Sequence, residues 1–151
     1  MRILAIDPGD KRLGVAISDP SGTIANPLTV LKHISRPIDA AVIIQIAEER
    51  QVGLIVVGQA LDTDNQPTLQ SRRAANLAEA LSQQTNLPVA LWDETGSTQA
   101  ARAARLAMGV SRRKRSGHLD DLAATYILQT YLDAHSSQPL IGGTSTASET
   151  G

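Results

Sequence analysis

Two short apolar runs near the N-terminus, Arg2 to Ile6 and Leu13 to Ile17, flank Asp7-Pro8-Gly9-Asp10-Lys11-Arg12, and this alternation constrains the fold more than any other stretch. Apolar runs of that length bounded by turn formers read as strands, and so tight a link between them reads as a hairpin. Asp7 then ends the first strand on rigid backbone. Gly9 and Gly14 carry no Cβ, so backbone can approach a bound phosphate or ion there. Asp-Pro-Gly also starts turns that do no chemistry. A site at Asp7 therefore depends on whether distant segments deliver further carboxylates to the same place.

The chain beyond the hairpin alternates helix and strand signals. Pro20-Ser21-Gly22 is a turn, and Thr23 to Leu31 reads as a third strand completing an antiparallel meander, with Pro27 confining it to an edge or a bulge. Ser35-Arg36-Pro37 supplies a cap and a first-turn proline. Ile38, Ala41, Val42, Ile44, Gln45 and Ala47 follow at mostly helical spacing, to an end near Gln51 to Gly53. Leu54-Ile55-Val56-Val57, closed by Gly58, has the continuous apolar character of a strand buried on both faces.

A polar loop from Gln59 to Pro67, a helix from about Thr68 to Gln84 and a strand from Leu87 to Trp92 come next, and that strand delivers Asp93-Glu94. Ser97 or Thr98 can cap a helix over Gln99 to Met108. A mobile basic loop over Gly109 to Gly117 and a helix from His118 or Leu119 to about His135 complete the pattern. The expected architecture is α/β: a mixed five-stranded sheet, antiparallel meander first and parallel crossovers second, flanked by helices. One domain is expected over residues 1–135, with a disordered tail over 136–151.

Composition removes several function classes. With no Phe, one Trp and two Tyr, the core must be built from Leu, Ile, Val and Ala, and an aromatic platform for single-stranded bases is not expected. The absence of Cys excludes disulfides, thiolate metal sites and a cysteine nucleophile. Asp7 interrupts the first apolar run early, and no run approaches the roughly 20 apolar residues of a membrane span, so a soluble cytoplasmic protein with no membrane partner is expected. The net charge of -1 favours no partner, but its distribution does. Between Glu94 and Asp120 there is no acid, while Arg102, Arg105, Arg112, Arg113, Lys114 and Arg115 fall in that interval.

In a sheet of this kind ligands collect beyond the C-terminal ends of the parallel strands. Asp7 ends the first strand and Asp93-Glu94 the last, and spacing does not choose between Asp93 and Glu94. On the last helix Asp120 shares a stripe with Ala123, Ala124, Ile127, Leu128 and Tyr131, whereas Asp121 lines up with Thr125 and Gln129. An acid heading an apolar stripe is costly to bury unless a cation neutralises it. The ordinary alternative is an acid favouring the positive end of its helix.

Oxygen-only ligands suit Mg²⁺ or Mn²⁺, and two such ions about 3.5–4 Å apart activate a water and stabilise the leaving oxygen of a phosphodiester. The basic segment would hold the polyanion, with affinity falling as salt rises. His33, His118 and His135 read as surface or helix-end residues, with His118 a candidate proton shuttle. Ser18 and Ser97 have no His/Asp partners by spacing, which argues against a serine nucleophile.

These residues resemble a known family. Ile6-Asp7-Pro8-Gly9-Asp10-Lys11-Arg12-Leu13-Gly14-Val15-Ala16-Ile17-Ser18-Asp19 resembles the opening motif of the YqgF (RuvX-like) proteins, described as pre-16S rRNA nucleases and once as Holliday junction resolvases. Val56-Val57-Gly58 is similar to their central strand, Leu91-Trp92-Asp93-Glu94 to their D-E-R motif, and Leu119-Asp120-Asp121-Leu122-Ala123-Ala124 to their last-helix acid. The resemblance runs in order from Arg2 to about Leu132.

It implies a ribonuclease H-like fold and a metal-dependent nuclease holding Mg²⁺ or Mn²⁺ with Asp7, Glu94 and Asp120 as catalytic carboxylates. Arg12, Arg112, Arg113, Lys114 and Arg115 would bind nucleic acid. The implied role is trimming the 5′ end of the ribosomal RNA precursor. Thr95 and Gly96 stand where the family has Arg-Leu, Gly58-Gln59-Ala60 replaces Gly-Leu-Pro, and Leu77 takes an apolar or aromatic position. Two other readings follow: a resolvase of branched DNA, which normally needs a symmetric dimer, and a nucleic-acid-binding protein without catalysis, motivated by Thr95 and Gly96. Nothing in the sequence marks an interface, so monomer and homodimer both stay open.

Overall fold

The computed structural model describes residues 1–59, 68–93 and 119–136, with backbone alone at 119–121 and 136. In chain order these form β1 (Arg2–Pro8), β2 (Arg12–Ser18), β3 (Ala25–Lys32), α1 (Arg36–Glu49), β4 (Val52–Gln59), α2 (Leu69–Gln84), β5 (Val89–Asp93) and α3 (Leu119–Ser136). The sheet order is β3-β2-β1-β4-β5. β1, β2 and β3 pair antiparallel, and β4 and β5 continue from β1 in parallel. This is the mixed five-stranded α/β sheet of a ribonuclease H-like fold. The expected helix Gln99 to Met108, the basic loop Gly109 to Gly117 and the tail beyond Ser136 lie outside the described residues.

The hairpin depends on its glycine. Gly9 N–H donates to Arg12 O at 2.8 Å, and a Cβ on Gly9 would stand 2.6 Å from that oxygen. At the edge, the β2–β3 register steps from Val15 opposite Thr29 to Ala16 opposite Pro27, so the ladder skips a residue beside the proline, which has no N–H to give. The β2–β3 turn is tied by Asp19, whose carboxylate accepts the N–H groups of Ile24 and Thr23 and the Ser21 hydroxyl. These bonds, that from Ile24 foremost, hold its pKa well below the usual carboxylate range.

Strand alternation sorts the core into two layers. Leu4, Ile6, Leu13, Val15, Ile55 and Val57 face α1 and α2, while Ile3, Ala5, Ala16 and Val56 face Ala124, Leu128 and Leu132 of α3. β4 is thus covered on both faces, as its β-branched run requires. Leu77 is fully buried under the first layer.

α1 turns a different face inward from the one its spacing predicts. Ala40, Ile43, Ile44 and Ala47 are buried, whereas Ile38 is 46% and Val42 36% exposed. Ala41 and Gln45 are exposed as well. The helix is apolar nearly all round, so periodicity alone could not choose its rotation. Ser35 caps it as expected, its Oγ accepting Ile38 N–H at 3.4 Å. Asp39 then fixes the rotation: only 3% exposed, it accepts Ile34 N–H at 3.0 Å and the His33 Nδ1–H, with Arg36 Nη1 3.8 Å away. His33, expected as a surface or helix-end residue, lies just ahead of the α1 cap, half-buried and partnered by Asp39. Ser18 is structural, since its buried Oγ accepts Ile3 N–H at 2.9 Å and donates to Asp19 O at 3.0 Å.

β5 starts at Val89, later than Leu87, because the Leu87 N–H is turned to Thr85 Oγ1 at 3.2 Å. Gly58 does not close β4; it lies inside it, and a Cβ there would collide with Ile127 Cδ1. Gly58→Ala should therefore overpack the β4–α3 contact and cost roughly 1–3 kcal/mol. Urea unfolding measures it, and a midpoint equal to wild type would mean that Ile127 can move aside without penalty.

Candidate active site

Asp7 is the penultimate residue of the central strand and is half-buried. Gly14 of β2 pairs with it directly, and the β1–β4 register, which sets Ile6 opposite Val57, brings Gly58 alongside. The positions directly flanking Asp7 on the two neighbouring strands are thus both glycine. Alternation puts residue 7 on the face of Ile3 and Ala5, the α3 face.

From the other layer Gln70 reaches over, its Nε2 donating at 3.3 Å to Asp7 Oδ1 and at 3.3 Å to Gly58 O. Gln70 sits in the first turn of α2, fixed by a reciprocal cap in which Thr68 Oγ1 accepts Ser71 N–H at 3.1 Å and Ser71 Oγ accepts Thr68 N–H at 2.8 Å. Sequence reasoning missed Gln70. The available signal was a polar residue in a capped first turn, just after the loop that leaves a parallel strand's C-terminal end.

β5 ends at the same edge, but its face matters. Gly58 pairs with Trp92 and Gln59 with Asp93. Val89 packs into the α1/α2 layer and Trp92 into the α3 layer, so Asp93 shares the α1/α2 face and stands on the opposite side of the sheet from Asp7. Trp92 locks α3 to β5, its Nε1–H donating to Thr130 Oγ1 at 2.9 Å and its ring lying edge-on to Tyr131 at 5.2 Å.

α3 runs back along β1. Leu132 packs with Ile3 at the strand's N-terminal end, while Ile127 covers Gly58 near the C-terminal edge. Residue 120 is two helical turns before Ile127, about 10 Å further along the axis, and so past the edge that carries Asp7. It also shares the helix face of the buried Ala123, Ala124 and Ile127. Topology thus brings Asp7, the end of β5 and the start of α3 to one end of the sheet. The side chain of Asp120 is outside the description, as are Glu94 and Arg112, Arg113, Lys114 and Arg115.

A family model described as "RuvX: Holliday junction resolvase" matches residues 1–134. The chain belongs to the RuvX family. Among RuvX relatives, a Thermoanaerobacter pseudethanolicus protein is 41% identical over 139 residues, covering 91% of this chain and all of that protein. One from Syntrophus aciditrophicus is 38% identical over 149 residues, covering 99% of each. Both carry the name "Putative pre-16S rRNA nuclease".

Solved structures with the same fold include Thermus thermophilus RuvC bound to a Holliday junction, with a TM-score of 0.59 at 20% identity over 91% of this chain and 97% of that one. The fowlpox virus Holliday junction resolvase gives a TM-score of 0.54 at 15% identity, over 89% and 99%. At such identities the likeness establishes the fold.

Within this RuvX-family chain, no three acidic or histidine side chains gather into a metal site among the described residues. The Asp7 carboxylate between two glycines is nevertheless an oxygen donor of the kind a hard divalent cation takes. Arg12 opens β2 at this same edge and is exposed.

Proposed function

We infer that this chain is a nuclease that hydrolyses phosphodiester bonds in pre-16S rRNA processing and, more finely, that it removes the 5′ extension with the help of divalent cations. The observation that carries the reading is Asp7, fixed by Gln70 on the central strand, at the edge toward which α3 brings position 120 and at which β5 ends. The names of the RuvX relatives supply the substrate.

Asp7, Glu94 and Asp120 are the residues proposed to hold Mg²⁺ or Mn²⁺, with Glu94 preferred to Asp93 because Asp93 falls on the other face of the sheet. Bound there, the ions would supply an activated water and charge stabilisation at the leaving oxygen. The protein's own part is to hold Asp7 in one orientation through Gln70 and to leave room beside it through Gly14. Arg12, with Arg112, Arg113, Lys114 and Arg115, is proposed to grip the backbone phosphates. No described helix is long and apolar enough to cross a membrane, and the proposed place of action is the cytoplasm.

A second reading, cleavage of branched DNA by a symmetric dimer, is favoured by the description of the family model and by the resolvases that share the fold. The two separate when the purified protein is given a 16S precursor fragment with its 5′ extension or a four-way DNA junction. Loss of the 5′ extension in Mg²⁺ or Mn²⁺, and none in chelator, is the expected result. Junction cleavage by a dimer in preference to the RNA overturns it in favour of the resolvase. Salt-sensitive RNA binding without cleavage overturns it in favour of the binding protein that Thr95 and Gly96 suggest.

A further inference from the structure

Three cations are brought together where β2 and β3 reach the Asp7 edge. Arg12, the first residue of β2, pairs directly opposite Lys32, the last of β3. One step further out, His33 N–H donates to Lys11 O at 2.9 Å, which ties Lys11 beside them. Lys11, Arg12 and Lys32 are all exposed. Like charges directly opposite in an antiparallel pair repel each other.

Two nearby acids are engaged elsewhere. Asp10 is engaged by Arg73 Nη2 at 3.4 Å. Asp39 is buried and occupied by His33 and Arg36. Among the described residues, neither Lys11 nor Lys32 has an ion-pair or hydrogen-bonded side-chain partner.

The position of the pair is as informative as its charge. Asp7 pairs with Gly14, and Arg12 is two residues from Gly14 along the same strand, so Arg12 and its partner Lys32 fall on the face of Asp7. Two strand spacings across and two residues along put the Lys32 backbone about 12 Å from that of Asp7. Arg12 and Lys32 side by side, at that reach from the proposed reacting phosphate and on its face, with Lys11 at the edge beside them, match a ligand with repeated negative charge better than a lone anion.

We propose that Lys11 and Lys32, on either side of Arg12, form a phosphate-binding strip that holds the RNA strand flanking the scissile bond. The inference rests on the nuclease reading and adds two residues outside the basic segment Arg102 to Arg115.

The test uses the full chain, the single variants Lys11→Gln and Lys32→Gln and the double variant. The probe is a labelled RNA hairpin with a single-stranded 5′ extension, bound in chelator from about 50 to 200 mM salt. The double variant should bind roughly 10–30-fold more weakly near 0.1 M salt, with the slope of log K against log salt shallower by about 1.4. In Mg²⁺, KM should rise while kcat at saturating RNA stays near wild type. Lys32→Gln should melt at or above the wild-type temperature, since no described side chain pairs with Lys32, whereas a merely structural lysine would lower it. An unchanged slope for the double variant, on RNA that the wild type binds and cuts, overturns the strip. Failure of the wild type itself to bind or cut the RNA would instead overturn the underlying nuclease reading.

Discussion

Asp7→Asn should reduce metal-dependent RNA cleavage by at least about 10²–10³-fold, the scale on which one preorganised electrostatic partner of a transition state counts. The substitution keeps the shape of the side chain and an oxygen able to accept from Gln70 Nε2, so the contact to α2 and the β1 packing have no reason to change. What disappears is the negative charge that a divalent cation needs from the central strand. Single-turnover cleavage in Mg²⁺ and in Mn²⁺, alongside a melting curve, reads both consequences. Retained cleavage with a normal melt would remove Asp7 from the chemistry. Asp93→Asn is the informative companion: Asp93 pairs with Gln59 and sits on the face away from Asp7, so cleavage should survive. Equal losses in both variants would mean that Asp93 reaches the Asp7 face.

Much of this arrangement is legible in the sequence because the signals are local. The Asp-Pro-Gly hairpin, Pro27 on the edge strand, the Ser35 and Thr68 caps and the doubly buried β4 each follow from residues within a few positions of one another. Where the sequence falls short, the missing information is a partner far along the chain. Gly58 looks like the end of a strand until Ile127, from the last helix, is seen to occupy the space a side chain would need. Asp93 and Glu94 look equivalent until β4 fixes which face Trp92 takes. Gln70 is one glutamine among many until α2 carries it to Asp7. The proposed site combines both kinds of information: Asp7 and Asp120 stand out by position and periodicity, while the sheet end to which their backbones run is a property of the topology.

Asp39→Ala should be the most damaging change away from the proposed site, at roughly 2–4 kcal/mol, somewhat less than breaking a fully buried ion pair because its partners are partly solvated. His33 and Asp39 are six residues apart, across the corner between β3 and α1, and neither residue type announces the pairing. Removing the carboxylate leaves the Ile34 N–H without its acceptor and takes the nearest counter-charge from Arg36, whose buried Nη1 already lacks a hydrogen-bond partner. It also removes what sets the rotation of α1, a helix whose exposed Ile38 and Val42 offer an alternative apolar face. For a chain of this length the loss corresponds to a melting temperature lower by about 5–15 °C. His33→Ala should cost less than half as much, because Ile34 and Arg36 keep their partner. A melting temperature for Asp39→Ala within about 2 °C of wild type would mean that apolar packing of Ala40, Ile43, Ile44 and Ala47 alone fixes the helix, and that the polar corner is incidental to it.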